Sequence, residues 1–184
     1  MPGRPLPPAL RRAGMVVLLV LLGIAGLAAA ILFFSARDQS KLTPNAGPGQ
    51  AFPDQGNQHL RAPRAVRYDS TPPTSGPHVV RPIRRDGERI DSDQLLSALE
   101  LGNVVILYPG HGRAPAALRA VQNADSGPLD PALLQTGNQV VLARYAGVHR
   151  VVAVAWRHLL VADSPSDPRL QTFADYWLGR PLGR

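Results

Sequence analysis

Residues 104–108 read Val104-Val105-Ile106-Leu107-Tyr108, an unbroken apolar run between Asn103 and the breaker Pro109-Gly110-His111-Gly112. A β-branched run without alternation predicts a strand covered on both faces, the interior of a sheet between helices. Upstream, residues 92–101 predict a helix. Ser92 is its N-cap, Leu95, Leu96 and Leu99 share a face, and Gly102 is placed to end it. Downstream, 115–123 suits a helix with Pro115 in its first turn. Residues 139–145 and 149–156 read as strands about Ala146-Gly147, a hairpin signal. Residues 159–162 suggest a further short strand, and 167–178 a last helix with Leu170, Phe173, Ala174 and Trp177 at helical spacing. With a short strand at 64–68, the predicted order is strand, helix, strand, helix, strand, strand, helix. That is an α/β domain with a mixed central sheet flanked by helices; an α+β arrangement fits the same string.

The amino-terminal part has a different character. Residues 15–34 read MVVLLVLLGIAGLAAAILFF, with no charged side chain. About 20 helical residues cover a hydrocarbon core of about 30 Å, so 13–36 is predicted to be a transmembrane helix. A cleaved signal peptide is the rival, because Ala28 and Ala30 form a small-x-small site. Yet Ile31, Leu32, Phe33 and Phe34 continue the apolar run past it, which favours a retained anchor. Arg4, Arg11 and Arg12 precede the span, while Arg37 and Lys41 follow it. The balance places a short tail (1–12) in the cytoplasm and the domain (57–184) outside it, at the cell membrane. Residues 37–56, rich in Pro, Gly, Gln and Asn, are predicted to be a flexible stalk.

The absence of cysteine excludes disulfides, a thiol nucleophile, Cys-ligated zinc and a lipoprotein anchor. From residue 44 onward, 15 Lys and Arg face 12 Asp and Glu, so the excess positive charge there is small. It gathers in Arg61, Arg64, Arg67, Arg81, Arg84, Arg85 and Arg89, a stretch suited to anionic lipid or an envelope polymer. Interrupting prolines and acids, and the lack of interleaved aromatics, argue against a nucleic-acid partner.

The segment Tyr68-Asp69-Ser70-Thr71-Pro72-Pro73-Thr74-Ser75-Gly76-Pro77-His78 resembles the signature of a membrane-anchored family catalogued as domain of unknown function 3105. His59 occupies that family's early histidine position, Ala155 and Trp156 match its AW pair, and Phe173 falls in its last helix. The resemblance spans roughly residues 56–180. The family pattern carries two helix histidines where this chain has Ser97 and Leu101; Glu100 and Gly102 are retained. Two histidines four residues apart share a helix face, and with His59 and His78 they would make four nitrogen ligands. The resemblance thus implies a remnant metal site here, with His59 and His78 as surviving ligands for zinc or copper. The element order is also that of thioredoxin-like folds, which set a mixed sheet between helices.

Among single residues, Glu100 is a carboxylate at an apolar helix–strand junction, a position for a general acid or base. His111 lies in a loop at the carboxyl end of a strand, where function often resides. His149 and His158 read as rim residues, and the tryptophans as core or edge aromatics. No G-x-S-x-G elbow, Ser-His-Asp set or phosphate loop is present. With no catalytic set complete, the sequence favours a non-enzymatic binding or interaction module of the cell envelope without a cofactor. The alternative is a histidine-based metal-binding protein or metalloenzyme.

Overall fold

The computed structural model describes residues 47–183. The predicted tail, the span 13–36 and the stalk up to residue 46 lie outside the described residues. Among the described residues no helix is long and apolar enough to cross a membrane.

Six strands form one mixed sheet: β1 (Gln50–Ala51), β2 (Arg89–Ile90), β3 (Val104–Leu107), β4 (Val140–Tyr145), β5 (Val152–Ala155) and β6 (His158–Val161). Their spatial order is β1-β6-β5-β3-β4-β2. β3 runs parallel to β4 and antiparallel to β5, and β4 is also parallel to β2. The helices are α1 (Ser92–Glu100), α2 (Ala116–Asp125), α3 (Pro131–Gln135) and α4 (Arg169–Trp177).

The alternation hidden in 104–108 explains the layers. Val105 and Leu107 pack with Leu95, Leu96 and Leu99 of α1 on one face of the sheet. Val104, Ile106 and Tyr108 pack with Leu118 of α2 and with Leu170, Phe173 and Trp177 of α4 on the other. A strand buried on both sides needs no polar face, and every residue of β3 is fully buried. The expected α/β sheet between helices is therefore present.

Three expectations need correction. The strands about Ala146-Gly147 do not pair with each other. β4 and β5 lie on opposite sides of β3, because the most buried strand takes a partner on each edge. The hairpin is β5–β6, turning through Trp156 and Arg157, the latter at φ +64°. Residues 64–68 form no strand, since only Val66 and Tyr68 turn inward, and Tyr68 packs on a turn rather than in a ladder. Finally, the end of the predicted stalk belongs to the domain: β1 pairs with β6, and the Trp177 indole N–H donates to Pro48 O at 2.9 Å. Gly47 lies where any Cβ would collide with the Trp177 ring.

Candidate functional site

The PPTSGPH segment is a frame for one side chain. Thr74 and Ser75 are wholly buried. Arg157 N donates to Thr74 O at 2.9 Å, tying the segment to the β5–β6 turn. Ser75 Oγ accepts from Gln55 N at 3.0 Å and donates to Pro53 O at 3.3 Å. The Tyr68 hydroxyl donates to Pro77 O at 2.9 Å, and burial pushes its pKa up to about 12. Gly76 has φ +127°, and a Cβ there would meet the Tyr68 ring at 2.9 Å, so this turn requires glycine.

Beyond Gly76 the chain runs parallel to residues 56–60. Gly76 N donates to Gly56 O, His78 N to Gln58 O and Leu60 N to His78 O, which makes His59 and His78 cross-strand partners. Their rings meet edge to face with centroids 5.3 Å apart. The third member comes from α1. Asp91 caps this helix, its side chain accepting from Gln94 N while Gln94 Oε1 accepts from Asp91 N. Thus Asp91, not Ser92, is the N-cap. At the other end Gly102 N donates to Leu99 O and Asn103 N to Ala98 O, with Gly102 at φ +107°. This double closure ends α1 immediately after Glu100.

Glu100 therefore sits at the negative end of a helix dipole, with only 11% of its side chain exposed. His59 Nε2 lies 3.1 and 3.0 Å from its two carboxylate oxygens. His78 Nε2 lies 3.7 Å from Oε2. The His78 ring is fully buried, and its Nδ1–H donates to Gly76 O at 3.0 Å. A carbonyl only accepts, so in the neutral imidazole the proton is on Nδ1 and the lone pair on Nε2. That Nε2 has no hydrogen-bond partner. A buried lone pair facing a carboxylate at a helix carboxyl terminus is unfavourable unless a cation stands between them.

Glu100 stands with the two predicted ligands, and the three potential ligand atoms lie within 4.8 Å of one another. Bonds of about 2.0–2.1 Å place neighbouring ligands of a tetrahedral zinc roughly 3.3–3.4 Å apart, a separation these side chains reach with small rotations. The residues at the family's helix-histidine positions take no part. Ser97 Oγ donates to Asp93 O at 2.7 Å and accepts from Arg81 N at 3.0 Å, fastening α1 to the chain after His78. Leu101 is 41% exposed. Glu100, expected in acid–base chemistry, stands instead beside the two histidines. The signal was its retention beside two substituted histidines.

The other singled-out residues lie elsewhere. His111 is exposed, its carbonyl accepting from Arg144 Nη1 at 3.2 Å. His149 is exposed as expected. His158 is not a rim residue: it is buried, stacked on Trp177 at 3.7 Å, with its Nδ1–H donating to Trp156 O. Burial lowers its pKa, aided by the nearby Arg157 charge. All seven arginines between 61 and 89 are exposed, with Arg81 ion-paired to Asp91 and the Arg84 backbone N–H bound by Glu88.

No curated protein and no solved structure matches the chain. A family profile does, over residues 59–182, which begins at His59 and takes in the whole His59–His78–Glu100 cluster. The chain belongs to this family, described as "Protein of unknown function (DUF3105)".

Proposed function

We propose that this chain is a membrane-tethered module that binds a divalent transition-metal ion through His59, His78 and Glu100. The observation that carries the reading is His78 Nε2, fully buried and unpartnered, set 3.7 Å from a carboxylate that also touches His59. The Nδ1–H bond to Gly76 O holds the ring in the tautomer a metal needs, the usual support of a ligating histidine. Two imidazoles and one carboxylate suit zinc, copper or iron, with zinc the simplest probe. The His59 side chain is 53% exposed, so the ion would have an entry path and room for water or a further ligand. The tether rests on the sequence of residues 13–36 and its arginine flanks, and it would hold the ion outside the cytoplasm near the bilayer. Arg61, Arg64, Arg67, Arg81, Arg84, Arg85 and Arg89 would add contact with anionic lipid or envelope polymer.

The test is metal content after equilibrium dialysis of the tag-free, full-length chain against zinc. The expected result is about one equivalent, falling below about a tenth in His78→Ala and in Glu100→Ala variants that remain folded. Wild-type protein without bound zinc, or variants that retain it, would overturn the reading.

A further inference from the structure

A cavity lies on the face of the sheet opposite α1, at the carboxyl end of β3. It has a volume of about 450 Å³, within the range of small-molecule sites, and its walls include Tyr108, Gly112, Arg113, Arg119 and Asp86. It contains no member of the His59–His78–Glu100 cluster.

Three features of this cavity share one sign. First, Ala114 in its wall lies two residues before α2, whose N-cap Pro115 supplies no side-chain cap for the N–H groups of the first turn. Second, Tyr108 is 2% exposed, yet its hydroxyl has no hydrogen-bond partner. Burial raises the pKa of this hydroxyl against the opposing pull of Arg144, so it remains a donor at neutral pH. Third, Arg119 and the exposed Arg113 both line the cavity, and the Arg119 Nε–H is buried without a hydrogen-bond partner. Neither arginine forms an ion pair among the described residues.

The acid in the wall does not answer these donors. Asp86 Oδ1 accepts from Gln122 Nε2 at 2.8 Å and Leu142 N at 3.3 Å, and Oδ2 accepts from Leu129 N at 2.8 Å. Its oxygens are committed to bracing the loop before β2, and Gln122 Nε2 is further held by Val140 O. What the cavity lacks is an acceptor.

We propose that this cavity is an oxyanion site, taking a phosphate or carboxylate group between Tyr108, Arg113, Arg119 and the amino-terminal turn of α2. Such a group would accept from the hydroxyl and from the helix N–H groups, while the guanidinium groups neutralise it. The remaining volume leaves room for an organic body on the ligand. The loop 109–113, where His111 drew notice in the sequence, then serves through Gly112 and Arg113 rather than through the imidazole.

The experiment is NMR titration of the full-length, isotope-labelled chain in detergent micelles with inorganic phosphate and, separately, with acetate. Saturable shifts at Gly112, Arg113 and residues 116–118 are expected with at least one of the two, with a Kd on the order of 1 mM or tighter. Tyr108→Phe preserves the packing and Arg113→Ala alters only an exposed side chain; each is expected to weaken binding about tenfold. The anion that binds more tightly identifies the ligand's head group. Absence of saturable shifts with both anions would overturn the proposal. So would shifts confined to the surroundings of His59 and His78, or affinities unchanged in both variants.

Discussion

At the scale of the residue, Glu100 joins the two histidines from the carboxyl end of α1. A carboxylate at a helix carboxyl terminus, largely out of water, meets the dipole's negative end and two imidazole rings. Positive charge must come from a proton or a metal, and the two alternatives make different predictions. If a metal supplies it, Glu100→Gln, which keeps the shape but loses the charge, should weaken zinc binding at least tenfold, about 1.4 kcal/mol. Isothermal titration checks this. His59→Ala should weaken binding less than His78→Ala, because the exposed ring is replaced by water more readily than the buried one. Equal losses would mean that burial contributes nothing to the site.

At the scale of the element, the site depends on where α1 stops and where the Gly76 turn points. At Gly102, φ is +107° and a Cβ would meet the backbone of Arg180 and Pro181 at 2.9 Å. Gly102→Ala should therefore cost roughly 1–3 kcal/mol in chemical denaturation and also reduce zinc affinity. Asp91→Ala removes a cap at the end of α1 opposite Glu100. It should cost about 1 kcal/mol of stability while leaving zinc affinity unchanged. The comparison separates a helix that is merely weakened from one that misplaces Glu100.

Element types were largely legible because β3, α1 and α4 carry strong periodic signals: the run 104–108, the leucines at 95, 96 and 99, and Leu170, Phe173, Ala174 and Trp177. Pairing was not. The glycine after β4 suggested a hairpin, but the order of strands in a sheet depends on which strand is covered on both edges, a non-local property. β1 and β2, of two residues each, have no periodicity to read. Of the candidate site, His78 was visible through the motif that it ends, and His59 through the early histidine position of the family it resembles. Glu100 joins them only because the parallel bridge at residues 59 and 78 runs alongside the end of α1.

At the scale of the whole molecule, two shifted titrations shape stability in opposite directions. Asp125 is pushed up to about 6, first by burial and then by the adjacent Asp175, while Gln171 Nε2 donates to both. The folded value lies above the ordinary 3.8, so the folded state binds the extra proton between roughly pH 4 and 6. This contribution is fully present below that window and is lost as pH rises through it. Solvent screening leaves an effect on the order of 1 kcal/mol. Asp125→Asn should therefore raise stability at pH 7 and flatten the dependence between pH 4 and 6 in urea titrations. His158 acts the other way: its lowered pKa means stability is lost as pH falls below the ordinary histidine value of 6.5. Zinc held at a hundredfold excess over its Kd should add about 2.7 kcal/mol in the wild type, read as a raised Tm, and little in His78→Ala.

The most direct measurement of the metal reading observes the nitrogen it rests on. Long-range proton–nitrogen NMR of the full-length chain resolves Nδ1 and Nε2 of each histidine before and after one equivalent of zinc. The predicted result is a large shift of Nε2 in both His59 and His78, while His78 Nδ1 stays protonated against Gly76 O. Unchanged His78 Nε2, with zinc instead perturbing the exposed His111 or His149, would contradict the account.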